Sequence, residues 1–466
     1  QLIEMIQHHL KYDKKKALEH AIDLLEQVEI PNPHEAIDKY PHQFSGGQLQ
    51  RMLIAMSISC NPELIIADEP TTALDAAVRT RVLKILKKVQ QKRNLSVLFV
   101  THDLDVVKYF ADKICVMYAG KIVEQGTVEE IYTNPKHPYT KGLLACRPPK
   151  EGRYYFLPTI SDFMRISNDG KDIDQTADLD EVFRDLQISE TSRNAQLRKI
   201  YQSEPILKVS SMQRSYHKRM GLFQQEQAVE AVSNVSFNLF QGETLGLVGE
   251  SGCGKSTLAK AIVGLIEKDR GLIEIYDEES GEYLDFNKQR NTSNVIQYIF
   301  QDPLGALNPG MTIGEALMEP LLKNKKYKSK AERLERVREL LIQVGLKPYH
   351  FKRYPFEFSG GQRQRIGIAR ALLLEPKILI CDEVVSALDV SVQAQVLNLF
   401  NELKYEYGLS YVFISHDLGV VRYMCDRILV MKDGKIIEEG DADNMFMYPR
   451  KQYTKELVKA TIALAE

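Results

Sequence analysis

At 466 residues the chain is long enough for two or three domains, and its 44 % hydrophobic and 27 % charged composition is that of an ordinary globular protein. A net charge of −2 argues against a nucleic-acid binder that works by bulk electrostatics, and no run approaches the roughly 18 apolar residues needed to cross a bilayer. The six cysteines form no CxxC pair and the ten histidines do not cluster, which argues against zinc or iron–sulfur ligation and fits a reducing cytosol.

In chain order, Gln1-Leu-Ile-Glu-Met-Ile-Gln-His8 reads as the interior of an amphipathic helix rather than a signal peptide. Phe44-Ser45-Gly46-Gly47-Gln48 sets a serine and two glycines ahead of a helical pattern. Leu64-Ile-Ile-Ala67 is a short apolar run ending in two acids, Asp68 and Glu69, and Thr101-His102-Asp103 follows another such run. Residues 151–205 read as a linker. Its segment Arg153-Tyr-Tyr-Phe-Leu-Pro158 is expected to dock on a domain surface. Residues 167–190, polar and acidic, are expected to be a mobile tether with one short helix near 179–186.

The apolar run Thr244-Leu-Gly-Leu-Val248 predicts a buried strand and residues 257–263 a helix. Between them stands Gly249-Glu250-Ser251-Gly252-Cys253-Gly254-Lys255-Ser256, the pattern G-x-x-x-x-G-K-[ST], in the strand–loop–helix setting that it requires. Its glycines let backbone N–H groups turn around a phosphate, and the helix N-terminus, which begins at Thr257, adds positive potential. Lys255 is expected to reach the β- and γ-phosphates, and the Ser256 hydroxyl to ligate Mg²⁺. Further on, Phe300-Gln301-Asp-Pro303 precedes Phe358-Ser359-Gly-Gly-Gln362 and a helical pattern over 363–374. A serine N-cap with two glycines makes a second anion site. Four apolar residues, Ile378-Leu-Ile-Cys381, then predict a buried parallel strand that delivers Asp382 and Glu383 at its C-terminal end, the edge where α/β folds bind ligands. Strand alternation is expected to aim Glu383 away from Asp382. His416 ends one more strand, where an imidazole beside a phosphate can donate to developing charge.

The chain repeats itself. Ser45 and Ser359, Asp68 and Asp382, and His102 and His416 are each 314 positions apart, and the register persists in the tails, where Tyr139-Thr-Lys141 matches Tyr453-Thr-Lys455. So long a period means duplication of a whole domain. The first copy has no equivalent of residues 206 to roughly 315, so it lacks a P-loop; with a non-Met, mid-helix start, this leads to the expectation of a fragment of a longer protein.

Taken together, the FSGGQ segments, the acid-ended strands and the histidine loops resemble nucleotide-binding subunits of ABC transporters, with two such domains fused in one chain. The resemblance covers residues 206–466 and, as a domain missing its front, residues 1–150, on either side of the linker. It implies an α/β fold of tandem P-loop NTPase domains, each with a RecA-like core and a helical signature subdomain. It implies ATP and Mg²⁺ as cofactors, with Ser256, Gln301 and Asp382 toward the metal and Glu383, His416 and Gln301 at the reaction. It further implies that the two domains of one chain pair, the P-loop at 249–256 facing Ser45-Gly46-Gly47, while Asp68, Glu69 and His102 are left without a P-loop in cis. For adenine stacking Tyr216 is the candidate, with Phe223 behind it. Two departures stand out: Glu69-Pro-Thr71 becomes Glu383-Val-Val385, expected to loosen that turn, and Met56 becomes Arg370.

Asn134-Pro-Lys-His-Pro-Tyr-Thr-Lys-Gly-Leu-Leu144 and Gly305-Ala-Leu-Asn-Pro309 resemble ATPases of the peptide and nickel importer group. That implies import of di- or oligopeptides, with glutathione or nickel behind them. It also implies two membrane permease subunits and, indirectly, a solute-binding protein as partners, no nucleic acid, and a peripheral position at the cytoplasmic face of the inner membrane. Some members carry an iron–sulfur cluster in this tail; Cys146 stands alone, so the cluster is not carried over. The competing class is a soluble ABC ATPase acting on ribosomes or DNA, whose basic linker contrasts with the net acidic residues 151–204. A third reading is an inert nucleotide-binding fragment.

Overall fold

The computed structural model describes residues 1–71, 74–149, 152–166, 173–175, 183, 186–218, 227–286, 294–322 and 326–465. It divides into two compact units, one of residues 1–136 with 459–466 and the other of residues 137–458. Among the described residues no helix is long and apolar enough to cross a membrane.

The first unit begins with helices α1 (Leu2–Leu10) and α2 (Lys14–Gln27), the latter capped by Asp13, which accepts the Lys16 N–H at 2.7 Å. Then follow α3 (Gly46–Ile58), β1 (Leu64–Asp68), α4 (Ala76–Arg93), β2 (Ser96–Val100), α5 (Leu104–Phe110) and the hairpin β3 (Lys113–Tyr118) and β4 (Lys121–Thr127). Apolar residues at helical spacing on α1 to α4, among them Ile6, Leu24, Ile54, Leu83 and Leu86, meet in one core. Strand β1 pairs in parallel with β2, and β3 pairs antiparallel with β4, as two separate two-stranded sheets.

In the second unit, α6 (Pro138–Ala145) and α7 (Glu190–Tyr201) lead to a four-stranded antiparallel sheet. Its strands are β5 (Pro205–Lys218), β6 (Gln227–Phe240), β8 (Arg270–Asp277) and β9 (Glu282–Asp285), in the order β9-β8-β5-β6. Strand β7 (Thr244–Val248), fully buried, and α8 (Lys255–Ile262) stand between β6 and β8 in the chain. After β10 (Ile296–Ile299) comes a helical insertion: α9 (Ile313–Leu322), α10 (Lys330–Gln343) and α11 (Gly360–Leu372), packed through Leu317, Val337, Leu341 and Ile366. The chain returns through β11 (Ile378–Asp382), α12 (Val390–Tyr407), β12 (Ser410–Ile414), α13 (Leu418–Met424), β13 (Arg427–Lys432), β14 (Lys435–Asp441) and α14 (Gln452–Ala465), whose residues from 459 onward belong to the first unit. The main sheet has the order β10-β11-β12-β7-β13-β14, its first five strands parallel.

The repeat is visible as structure: β1, α4, β2, β3 and β4 have the lengths and register of β11, α12, β12, β13 and β14. The environments differ. Ile378, Ile380, Val412 and Ile414 are buried, whereas their counterparts Leu64, Ile66, Leu98 and Val100 are exposed. The second copy covers that face with residues from the 206–315 stretch, including Leu207, Phe237 and Leu258; the first copy has no counterpart of that stretch.

The linker docks, as its aromatic content predicts. Leu157 and Asn398 of α12 exchange hydrogen bonds at 2.7 and 2.8 Å, and Asn401 donates to the Tyr155 carbonyl at 2.9 Å. Asp443 accepts from Arg153 at 3.1 Å and Arg422 at 3.0 Å, and Arg193 pairs with Asp441 at 2.9 Å. The helix expected near 179–186 falls mostly outside the described residues.

Candidate functional site

In the second unit, the carboxyl ends of four adjacent parallel strands carry the residues that the sequence singles out. Gly249 follows β7, Asp382 ends β11, Gln301 lies two residues beyond β10, and His416 two beyond β12. Parallel pairing is what gathers them, because every strand then ends at the same edge.

The loop after β7 bends through left-handed backbone at Gly249 (φ 155°), Gly252 (84°) and Gly254 (109°). Two of these positions admit no side chain. A Cβ on Gly249 would lie 2.2 Å from the Met431 carbonyl oxygen, and one on Gly254 2.0 Å from that of Ala231. Lys255 is 5 % exposed, and its Nζ donates to the carbonyls of Gly249 (2.8 Å) and Glu250 (2.9 Å), folding back over the loop. Cys253 is buried beneath it; burial pushes its thiol up, against the nearby Lys255 charge.

Ser256 Oγ donates to Asp382 Oδ1 at 3.1 Å, and the Tyr298 hydroxyl donates to Oδ2. Burial first, and then the Asp382 charge, push the Tyr298 phenol well above its usual range, so it remains a donor. Glu383 gathers the rest: Gln301 Nε2 donates to its Oε2 at 3.0 Å, and His416 Nδ1 lies 3.3 Å from the same oxygen. Burial works to raise the Glu383 pKa, but the hydrogen bond and charge of His416, with Lys255, outweigh it and hold the carboxyl below its ordinary value.

Strand alternation is not what aims Glu383. It lies one residue past β11, at φ 48°, in the left-handed region, and Glu69 does the same at 45°. A non-glycine residue held there is strained, and such strain clusters at functional sites. The first copy repeats the pairing, with His102 Nδ1 3.0 Å from Glu69 Oε1. The Pro-to-Val change after the acid does not alter this turn: both glutamates keep the same backbone, and Val384 and Val385 are buried. Arg370, where the first copy has Met56, donates to the Ala306 carbonyl at 2.6 Å and lies 3.4 Å from Glu319, tying the signature helix to the segment after Gln301.

Both signature serines cap helices. Ser45 accepts the Gln48 N–H at 3.3 Å and Ser359 that of Gln362 at 3.4 Å, each glutamine returning a bond to the serine N–H. The second glycine of each has a packing reason as well: a Cβ on Gly47 would meet Val78 at 2.3 Å, and one on Gly361 would meet Val392 at 2.2 Å. Tyr216, on β5, is 43 % exposed with the Arg214 guanidinium 5.1 Å from its ring; Phe223 lies outside the described residues. Tyr298 carries no motif, and Tyr453, whose hydroxyl accepts the Glu250 N–H at 3.0 Å, is marked in the sequence only by its repeat with Tyr139, which points to no partner in the phosphate loop.

A P-loop, an acid-ended strand, a glutamine and a histidine on one sheet edge, with a capped glycine pair on a helical insertion, define an ATP-binding cassette ATPase. The family model for ABC transporters matches residues 2–72 and 232–386, and that for the oligopeptide/dipeptide transporter C-terminal region matches residues 123–165. The chain is similar to the glutathione import ATP-binding protein GsiA of Pectobacterium atrosepticum, 42 % identical over 461 residues, 99 % of this chain and 71 % of that one. The Escherichia coli K12 protein of the same name is 41 % identical over 467 residues, covering 100 % and 72 %. Among solved structures, the dimeric post-hydrolysis cassette MJ0796 with ADP and Pi is 29 % identical, covering 51 % of this chain and 98 % of that one, with a TM-score of 0.44. The chain belongs to the ABC transporter ATP-binding proteins of the oligopeptide and glutathione importer group. As such it is an ATP-hydrolysing subunit that powers an importer.

Proposed function

We propose that ATP binds the loop at 249–256 and is hydrolysed by water activated at Glu383, the import of a short peptide, with glutathione the leading case, being driven by closure of the two cassettes on each other. The observation that carries this reading is the triad around Glu383: one carboxylate oxygen is held by Gln301 and His416 at 3.0 and 3.3 Å beside the Asp382–Ser256 contact. Held ionised, Glu383 can take a proton from the attacking water. His416 then has a hydrogen bond to offer the γ-phosphate, and Lys255 charge to the β- and γ-phosphates.

A hard cation fits the site. The hydroxyl of Ser256 and the carboxylate of Asp382 are adjacent oxygen donors, and Gln301, whose amide nitrogen is engaged by Glu383, offers its carbonyl oxygen. Mg²⁺ held there would neutralise phosphate charge. Ser45, Gly46 and Gly47 are the signature assigned to this nucleotide, since it is the other copy's signature that pairs with a P-loop in the family. Asp68, Glu69 and His102 would serve a second site with a P-loop not contained in this chain. Tyr216 is retained as the surface for adenine. The partners are two membrane permeases and, through them, a solute-binding protein, with this subunit peripheral at the cytoplasmic face. The peptide-transporter tail at 123–165 and the glutathione-importer relatives support that substrate class.

The test exploits the asymmetry. Ser45→Arg should cut ATP hydrolysis by the chain at least about tenfold, by removing one charge-assisted anion contact of about 1.5 kcal/mol or more. Ser359→Arg should have the smaller effect, because the loop at 249–256 is assigned to the signature of the other copy. Equal losses in the two variants would sink the pairing. For substrate, stimulation of the permease-bound ATPase by a glutathione-loaded binding protein, against unloaded protein, decides the peptide reading.

A further inference from the structure

The peptide unit that joins Gly249 to Glu250, the first in the phosphate loop, is held at both ends. Its carbonyl accepts from Lys255 Nζ at 2.8 Å, and its N–H donates to Tyr453 Oη at 3.0 Å, from a residue 203 positions away. Tyr453 is the second residue of α14 and is 8 % exposed, with Lys432 Nζ 4.8 Å from its ring centre. The segment ahead of it is fixed by Glu438 of β14, which accepts the N–H groups of Arg450 (2.8 Å) and Lys451 (3.0 Å) and the Thr454 hydroxyl. The same anchor recurs in the first copy, where Glu124 accepts the Lys136 N–H at 2.7 Å. Burial pushes the Tyr453 phenol up to about 12, so near neutrality it is an uncharged hydroxyl.

The two restraints differ in one respect. A lysine that turns to a phosphate must let go of the Gly249 carbonyl, whereas the tyrosine need not move. We propose that Tyr453 is a positioning residue for nucleotide binding, keeping the first peptide of the loop oriented when Lys255 leaves it for the phosphates. The tail thereby becomes part of the nucleotide site. This rests on the reading of residues 249–256 as the ATP loop.

The experiment is fluorescent-nucleotide binding and steady-state ATPase on the full chain. Tyr453→Phe keeps the ring and removes the acceptor. A net hydrogen bond of about 1 kcal/mol corresponds to about fivefold, so Kd and KM for ATP should rise about fivefold with kcat changed less than about twofold. Glu438→Ala, which frees the anchor without touching the loop, should shift KM the same way, and the double variant should be no weaker than the worse single one. A wild-type KM in Tyr453→Phe, a loss confined to kcat, or fully additive effects would overturn the proposal. Should Tyr453→Phe not fold, Glu438→Ala decides alone, an unchanged KM counting against it. A wild-type chain that binds no ATP would instead overturn the reading of the loop itself.

Discussion

Tyr298→Phe removes one hydroxyl from the floor of the site and leaves the ring in place. Asp382 is 3 % exposed, and two hydroxyls take its two carboxylate oxygens, Ser256 at 3.1 Å on one and Tyr298 on the other. The variant leaves Oδ2 a buried, charged acceptor without that donor. A hydrogen bond to a charged group contributes about 1.5–3 kcal/mol. Ser256 still orients the other oxygen, so the low end applies, and about 1.5 kcal/mol is roughly tenfold in an equilibrium constant. With Asp382 free to rotate, half-saturation of the ATPase by Mg²⁺ should rise about tenfold, while nucleotide binding without Mg²⁺ stays as in the wild type. The assay is ATP hydrolysis at fixed nucleotide over a Mg²⁺ titration. An unchanged half-saturation point at an unchanged maximal rate would refute the idea that Tyr298 orients Asp382.

Two further outcomes follow from Glu383. Glu383→Gln should lower kcat by about 10²–10⁴-fold while ATP still binds and holds the protein closed; normal turnover would remove Glu383 from its role. Because the hydrogen bond and charge of His416, ahead of Lys255, hold the Glu383 pKa down against burial, His416→Ala should let that pKa rise. A carboxylate base works only above its pKa, so the acidic limb of kcat/KM against pH should move to higher pH in that variant; a limb that stays, or moves down, contradicts the pairing.

Fixed spacings made much of this site legible. The loop at 249–256, the acids after Cys381, and His416 each follow an apolar run that had to be a strand, and parallel strands deliver their ends to one edge. The serine caps were legible too, since Gln48 and Gln362 stand three residues on. What the sequence hides is contact between distant positions. Nothing near Tyr453 marks it as a partner of Glu250, and Tyr298 sits in a strand where an aromatic residue is ordinary. Nor does any local signal force Glu383 into left-handed backbone, where glycine or asparagine would be the expected residue. The exposure of Ile66 and Leu98 was equally hidden, because burial of a strand depends on whether a neighbour covers it and not on its own letters.

The left-handed glutamates have a consequence for anyone who would make this protein hardier. Each holds a conformation costing of order 1–3 kcal/mol, which glycine would adopt freely. A redesign guided by melting temperature alone would therefore choose glycine at 69 and 383, and would deliver a sturdier polypeptide that no longer turns over fuel.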